Sequence, residues 1–418
     1  MIPRYYSMRY RSLRLLPLLA AVLLLAAHGI PTLAWRGMKM RPLHIEGRYL
    51  CDDRGKHVNL HGFGQTYSPW FNEQGKGWGW GYNVEACLEY NKGLIDEIDR
   101  RGWKMQWLRL HADPYWSNDP ELTRLWHEEH PGENFGEHVI AAFCEQRFRR
   151  YLDSLFIPMA QYAIEAGLYV VMRPPGVCPH VISPGDEYQQ YLEKVWTIIC
   201  SDPRLKNNPY VMFELANEPV RMKDGEETCP IFFQKIVDTI RSLGCNNILW
   251  VPGLGWQSSY QCYAKSPIRG ENIGYAVHCY PGWYGSDSEA EGGSVEQGVV
   301  TKGARYVQFA EGWNRQVMPV AEFSPILLTE MDWAPARYNC SWGKATTGVA
   351  GAEGFGANFR RIMDETGNVS WMLFTGPEHL ARYDDSLPDG DTFLTDPEAC
   401  PRPIYGWFRH YARKSPIR

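Results

Sequence analysis

Short apolar or β-branched runs alternate along the chain with longer amphipathic stretches. The short runs predict strands at Val58–Phe63, Gln106–Leu110, Leu168–Met172, Tyr210–Leu215, Asn247–Val251, Ile273–Cys279, Ile326–Thr329 and Val369–Phe374. The longer ones predict helices at Leu88–Arg101, Phe143–Ala166, Tyr188–Ile199, Ile231–Leu243, Val300–Arg315 and Gly354–Glu365, and a last one near Tyr405–Arg413. In the second of these, Phe148, Leu152, Leu155, Phe156 and Met159 recur at spacings of three and four, which is one face of a helix. Gly102, Gly167, Gly244 and Gly367 each follow a helix and precede a strand, where a left-handed residue ends the helix. Only the interval between the fifth and sixth strands lacks a helical pattern. Upstream, Leu43–Leu50, a turn at Asp52-Asp53-Arg54-Gly55 and Val58–Phe63 predict a β-hairpin. Strands alternating with helices require parallel pairing through crossovers, and eight such units predict a (β/α)₈ TIM barrel, an α/β fold in a single domain with an N-terminal β-hairpin.

The first 34 residues read differently. Arg4, Arg9, Arg11 and Arg14 precede an apolar run from Leu15 to Ala27, and Thr32-Leu33-Ala34 offers a small residue for cleavage. Basic, apolar and processing regions in that order predict a secretory signal peptide over 1–34, a catalytic domain over 35–418, and a secreted or periplasmic protein. The apolar run is shorter than the roughly 20 residues that span a bilayer, so no stable membrane insertion is expected after cleavage, an uncleaved anchor being the alternative. Met8 offers a second start that leaves the signal intact. Cleavage would remove four basic and no acidic residues, leaving 39 Lys and Arg against 48 Asp and Glu, a net charge of −9. Nucleic acid is disfavoured as a partner by that acidity. Seventeen Trp and 24 Tyr supply flat apolar faces suited to sugar rings. Eleven Cys form no CxxC pair and no Cys/His ligand spacing, so neither zinc nor any other cofactor is expected, and an odd count leaves at least one thiol unpaired. No Pro/Ser/Thr-rich linker divides the chain, and a monomer is expected. The stretch Gly282–Gly298 reads as a loop insertion, and the pentapeptide KSPIR, present at Lys265–Arg269 and Lys414–Arg418, has no physical explanation.

In a barrel, chemistry gathers at the carboxyl ends of the strands. Those ends carry Arg109 and His111, then Arg173, then Asn217 and Glu218, then His278 and Tyr280, then Glu330, with Trp371 inside the eighth strand. Each has an ordinary structural reading by itself; their shared address at one mouth favours function. Glycosidic cleavage needs one carboxyl that donates a proton and one that is ionised. The fourth and seventh strands lie three apart in a ring of eight, so Glu218 and Glu330 are the natural pair. A gap of about 5–5.5 Å between their carboxyls would mean retention of anomeric configuration, and about 6.5–9.5 Å inversion.

The segment Val211-Met-Phe-Glu-Leu-Ala-Asn-Glu-Pro219 resembles the acid/base signature of glycoside hydrolase family 5, the cellulase family of retaining barrels; His278-Cys-Tyr280, Thr329-Glu330 and Ser370-Trp371 follow in family order, and the likeness runs over about residues 43 to 412. The resemblance implies Glu218 as acid/base and Glu330 as nucleophile. It also implies Asn217 on the sugar 2-hydroxyl, Arg109 and Tyr280 bonded to the nucleophile, His278 beside the acid/base and Trp371 as the floor under the sugar. The matching physics is an Arg109 guanidinium favouring the Glu330 anion and a crowded, apolar Glu218 keeping its proton. The family usually ends its third strand with His; Met172-Arg173 stands here, so Arg173 either replaces that contact or pairs with a loop carboxylate. The implied substrate is a β-1,4-linked polysaccharide or oligosaccharide, cut as by an endo-β-1,4-glucanase. A β-mannanase or other β-glycosidase of the same family is the alternative, and a non-catalytic carbohydrate-binding barrel the second. Metal-dependent hydrolysis would want clustered His and Asp ligands that the strand ends do not spell out. Among Trp70, Trp78, Trp80, Trp116, Trp283 and Trp333, about two are expected to stack on substrate. Asp384, Asp385, Asp389 and Asp391 lack calcium-loop spacing and read as a solvated loop.

Overall fold

The computed structural model describes residues 40–65, 82–100, 105–131, 140–280, 283–284, 294–296, 299–302, 306–331 and 355–373. The chain divides into Met1–Trp35 and Arg36–Arg418; the first unit lies outside the described residues, as do the predicted helix near Tyr405–Arg413 and the Asp384–Asp391 cluster. Among the described residues no helix is long and apolar enough to cross a membrane.

A two-stranded antiparallel hairpin comes first, β1 (Leu43–Glu46) against β2 (Tyr49–Asp52). Its reversal is at Gly47-Arg48, with Gly47 at φ +56°, and not at Asp52–Gly55 as the sequence suggested. The Asp52 turn exists too: its carboxylate accepts from the Arg54 and Lys56 amides, and it leads to an isolated bridge between Cys51 and His57. One predicted strand over 43–50 is therefore two, because the Asp-Gly turn signal was the louder of two turns five residues apart.

The barrel strands are β3 (His61–Gln65), β4 (Trp107–His111), β5 (Tyr169–Arg173), β6 (Val211–Glu214), β7 (Leu249–Pro252), β8 (Ile273–Cys279), β9 (Ile326–Met331) and β10 (Val369–Leu373). They are parallel neighbours in sequence order, and the ring closes where β10 pairs with β3, Trp371 opposite His61. All eight predicted strands are present, with ends shifted by a few residues. Outward residues such as Leu108, Leu110, Val170, Phe213 and Val251 join the helices in one apolar cluster. Inside, the indoles of Trp107 and Trp250 lie across Gly62 and Gly274: a Cβ at Gly62 would sit 2.4 Å from the Trp107 carbonyl oxygen, and one at Gly274 2.2 Å from the Trp250 ring. Glycine is needed at both for close packing rather than for φ.

Helices Val84–Arg100, Glu187–Ser201, Cys229–Ser242, Tyr306–Gln316 and Phe355–Thr366 cover the strands. Two departures have local causes. The helix predicted over 143–166 contains a π-turn at Leu152–Phe156 between α-helical Glu145–Tyr151 and Ile157–Glu165; Pro158 lacks an amide proton and crowds the carbonyl four residues back, which a π-turn relieves. The helix predicted from Val300 starts at Tyr306, since the β-branched run Val299–Lys302 forms a short strand against Ser294–Glu296. Between β7 and β8 there is no regular helix, only a tight turn at Leu254–Gln257, left-handed at Gly255, Trp256 and Gln257, and a 3₁₀ turn, Gln261–Tyr263.

Candidate active site

The barrel raises its polar side chains at the carboxyl ends of the strands. Arg109, on the inward face of β4 and 3 % exposed, donates from Nη1 to Glu330 Oε1 at 2.5 Å and from Nη2 to Asn217 Oδ1 at 2.6 Å. Its Nε and Nη2 form a fork on Glu214, at 2.7 and 3.0 Å. Tyr280 donates its hydroxyl to Glu330 Oε2 at 2.5 Å, so both oxygens of that carboxylate are held. His278 Nδ1 lies 3.0 Å from Glu218 Oε1 and 3.5 Å from Glu330 Oε2, and its Nε2 stands 3.8 Å from Glu214 Oε1. Glu218, His278 and Glu330 thus each present an atom within 4.8 Å of the others.

Burial and charge oppose each other here. Burial pushes the Glu330 carboxyl up, but the charges of His278 and Arg109 and the hydrogen bonds from Tyr280 and Arg109 outweigh it, and the group lies below the ordinary range. In Glu214, burial is likewise outweighed by Arg109 and His278, and the carboxyl is held well below the usual value. Desolvation pulls the His278 imidazolium down, yet the carboxylates of Glu330, Glu214 and Glu218 push it up to about 9. Arg109 and His278 are then two cations facing three carboxyls, a cluster that is neutral when one carboxyl holds a proton. Of the three, Glu218 is the one Arg109 does not contact, and it keeps 22 % of its side chain exposed.

The backbone around Glu218 is strained. Glu218 itself has φ +57°, and Gly255, Trp256 and Gln257 have φ of +61°, +55° and +65°. Non-glycine residues in the left-handed region persist where surrounding contacts hold them. The contacts are visible: Gln257 Oε1 accepts the Glu218 amide at 3.0 Å, Gln257 Nε2 donates to Glu214 Oε1 at 2.7 Å, and the Trp256 and Gly255 amides donate to the Pro219 and Val220 carbonyls. This lattice leaves Trp256 47 % exposed, its ring edge-on to His180 at 6.4 Å.

The profile of the family "Cellulase (glycosyl hydrolase family 5)" matches residues 151–321, the stretch carrying β5 through β8 with Asn217, Glu218, His278 and Tyr280. Over that stretch the chain is similar to glycoside hydrolase family 5. An endoglucanase of Halalkalibacter akibai is 29 % identical over 171 residues, covering 37 % of this chain and 21 % of the relative. An endoglucanase of Bacillus sp. (strain KSM-635) is 30 % identical over 143 residues, covering 30 % and 14 %. The chain thus spans about a fifth or less of the length of these two curated relatives. A β-glucanase of Saccharophagus degradans has the same fold, with TM-score 0.57 at 17 % identity over 91 % of this chain and 95 % of that one; the same protein with cellotetraose bound matches at 0.56.

Most of the residues that family 5 resemblance singled out meet at this mouth, and some take places the sequence did not suggest. Trp371 is 1 % exposed and packs edge-on against Phe359 of the helix Phe355–Thr366 at 5.6 Å, within the cluster between barrel and helices. It is therefore not a floor under a sugar: strand alternation turns it outward. Trp116 is fully buried among Tyr82, Tyr115 and Tyr151; Trp283 lies 5.0 Å from the Tyr280 ring; Trp70, Trp78, Trp80 and Trp333 lie outside the described residues. Arg173 donates to the carbonyls of Gly176 and Pro174 and meets His111 Nδ1 at 2.9 Å across paired strands. His111 is held well below its usual range by burial and by Arg173 and Arg109. Glu218 is not in the apolar crowd anticipated for it; its neighbour is an imidazole.

Glu214, Gln257 and Thr329 were missed. Glu214 is fully buried and accepts four hydrogen bonds, from Arg109 twice, Gln257, and Thr329 at 2.7 Å. Its signal was a carboxylate inside the apolar run Val211-Met-Phe-Glu-Leu-Ala; nothing in the sequence marks Gln257. The grouping of one His with two Glu is also a donor set of the kind the strand ends did not spell out. A divalent cation there would lie against the Arg109 guanidinium and compete with it and with Tyr280 for Glu330, so the arrangement favours proton chemistry.

Proposed function

We propose that the chain is a retaining endo-β-1,4-glucanase, in which Glu218 is the acid/base and Glu330 the nucleophile. One observation carries the reading: carboxylate oxygens of Glu218 and Glu330 approach within 4.8 Å, and only Glu330 is gripped by Arg109 and Tyr280. Oxygens this close support the short spacing of retaining pairs, roughly 5–5.5 Å, over the roughly 6.5–9.5 Å that admits a water between the carboxyls.

Glu330, kept ionised by its neighbours, attacks the anomeric carbon. Glu218 gives its proton to the glycosidic oxygen, the C–O bond breaks, and a glycosyl ester on Glu330 results. Glu218, now a carboxylate, takes a proton from water; the hydroxide adds to the anomeric carbon and Glu330 leaves. Two inversions give net retention. Asn217, its Oδ1 held by Arg109, has its amide nitrogen left to donate to the sugar 2-hydroxyl. Trp256 and Trp283 flank the site as stacking faces, replacing Trp371 in that role. Glucan is favoured among β-linked polymers because the similar endoglucanases are so named and the S. degradans glucanase was solved with cellotetraose. Residues 1–34, with their basic and apolar regions, support export as a signal peptide.

The test is a reducing-sugar assay on carboxymethylcellulose, mixed-linkage glucan, mannan and xylan, with product anomers followed by NMR. Activity on glucan with β-anomer first is expected. Glu218→Gln and Glu330→Gln should each abolish it in a protein that still folds. Full activity after either change, or an α-anomer first, refutes the assignment; turnover of mannan alone moves the substrate and leaves the chemistry.

A further inference from the structure

Away from the barrel mouth, the N-terminal hairpin carries an unexpected grouping. Strand register sets His44 directly opposite Cys51, and Glu46 lies two residues on from His44, hence on the same face. His44 Nε2 stands 3.9 Å from Glu46 Oε2, and the imidazole, carboxylate and thiol atoms all lie within 4.8 Å of one another. The same register continues across a third segment, where His57 bridges to Cys51 from the other side. Sequence spacing concealed this set, because its members become neighbours only through a cross-strand pairing whose turn, at Gly47-Arg48, the sequence did not suggest.

We propose that this face of the hairpin binds one zinc ion through His44, Glu46 and Cys51, with the fourth position open to water or to His57. One nitrogen, one oxygen and one sulfur suit a borderline-soft cation; purely hard or purely soft ions want uniform donors. Tetrahedral zinc at ordinary bond lengths sets its ligand atoms about 3.4–3.6 Å apart. Atoms within 4.8 Å of one another need to close by at most about 1.4 Å to meet that, and two of the three side chains can move: His44 and Glu46 are 44 % and 74 % exposed. Cys51 is the fixed member, 1 % exposed at the base of the group. On binding, the Cys51 thiol proton passes to water and the sulfur–zinc bond forms, with no oxidant involved.

The place suggests a structural role. The hairpin is tied to the barrel by the Ile45 amide donating to Asn272 Oδ1, by the Arg41 carbonyl accepting from the Tyr169 hydroxyl, and by Arg48 and Asn368 bonding across to each other's segments. A metal clipping β1 to β2 would hold that fastening in register.

Equilibrium dialysis of the full chain against zinc, with metal analysis, should give one tightly held zinc per chain. Cobalt in its place should show a thiolate-to-cobalt charge-transfer band, and that band should vanish in Cys51→Ala. The exposed pair, His44→Ala with Glu46→Gln, should weaken zinc binding by about tenfold or more and cancel zinc's upward shift of the melting temperature. A wild-type chain that retains no zinc, or a cobalt band that survives in Cys51→Ala, overturns the proposal. If Cys51→Ala fails to fold, the double variant decides: unchanged zinc affinity there overturns it. None of these readouts depends on the glycosidase assignment.

Discussion

Glu214→Gln offers the sharpest test of how the site is held. The substitution keeps shape and removes one charge from a side chain with no exposure, whose two oxygens accept four hydrogen bonds. An amide nitrogen at either oxygen position points a donor at a donor: at Arg109 Nε on one side, or at Gln257, Thr329 and Arg109 Nη2 on the other. Breaking a buried pair by removing one partner costs about 3–5 kcal/mol. Arg109 retains Glu330 and Asn217, so a loss near the lower end, about 3 kcal/mol, is expected. The catalytic effect comes through Arg109, which Glu214 orients against the nucleophile. A shift of about an ångström in such a group costs on the order of 10²-fold in rate. It should fall mainly on kcat, since Arg109 positions the nucleophile directly and the sugar only through Asn217. Steady-state kinetics on soluble glucan and a thermal melt are sufficient. A variant with lowered melting temperature and wild-type kcat would make Glu214 purely structural; wild-type values of both would refute the account of this network.

The sign of the pH dependence follows from the same geometry. Glu214 is depressed in the folded state, so its stabilisation is complete above the unfolded value of about 4.3 and is lost as pH falls toward the folded one. Wild type should therefore lose stability in acid more steeply than Glu214→Gln. A parallel acid limb in the two proteins would count against the shift.

Three further outcomes are expected. His278, raised from about 6.5 to about 9, contributes stability that is full below about pH 6.5 and lost as pH rises through 9, with a ceiling of about 3 kcal/mol; melts of wild type and His278→Asn should converge in that alkaline window. Arg109→Lys should lower kcat/KM by at least about 10²-fold, because a point charge cannot serve Glu330, Glu214 and Asn217 at once as the planar fork does; near-normal kinetics would show that geometry at Arg109 is unimportant. Trp371→Phe should lower the melting temperature and leave KM unchanged, whereas Trp256→Ala should raise KM for oligosaccharides several-fold with little effect on stability, stacking being worth about 0.5–1.5 kcal/mol; the reverse pattern would return Trp371 to the substrate.

How far the sequence could be read depended on whether a feature is local or relational. The eight strands were legible because each is a short apolar run bounded by turn residues, and the ring follows from their number. Arg109, Asn217, Glu218, His278, Tyr280 and Glu330 were legible because strand ends are local addresses. Trp371 was misplaced by a single step of the two-residue alternation, which decides between barrel mouth and helix layer and which a five-residue strand specifies weakly. The Gly47 reversal was missed because a stronger turn signal stood five residues on.

The roles of Glu214 and Gln257 were hidden for another reason. Their roles exist only as pairings across the barrel, 43 positions apart from one another and 105 from Glu214 to Arg109. The charge count shows why such partners are needed. Arg109 alone beside Glu330 would satisfy one carboxylate with part of a fork and leave the rest of a buried guanidinium unpaired, which is costly. Glu214 completes the fork, and its added negative charge is offset by a protonated His278. That imidazolium then reaches the carboxyl Arg109 does not touch. The two strand-end carboxylates can do different work because a third, whose partner the sequence does not show, anchors the arginine to one of them.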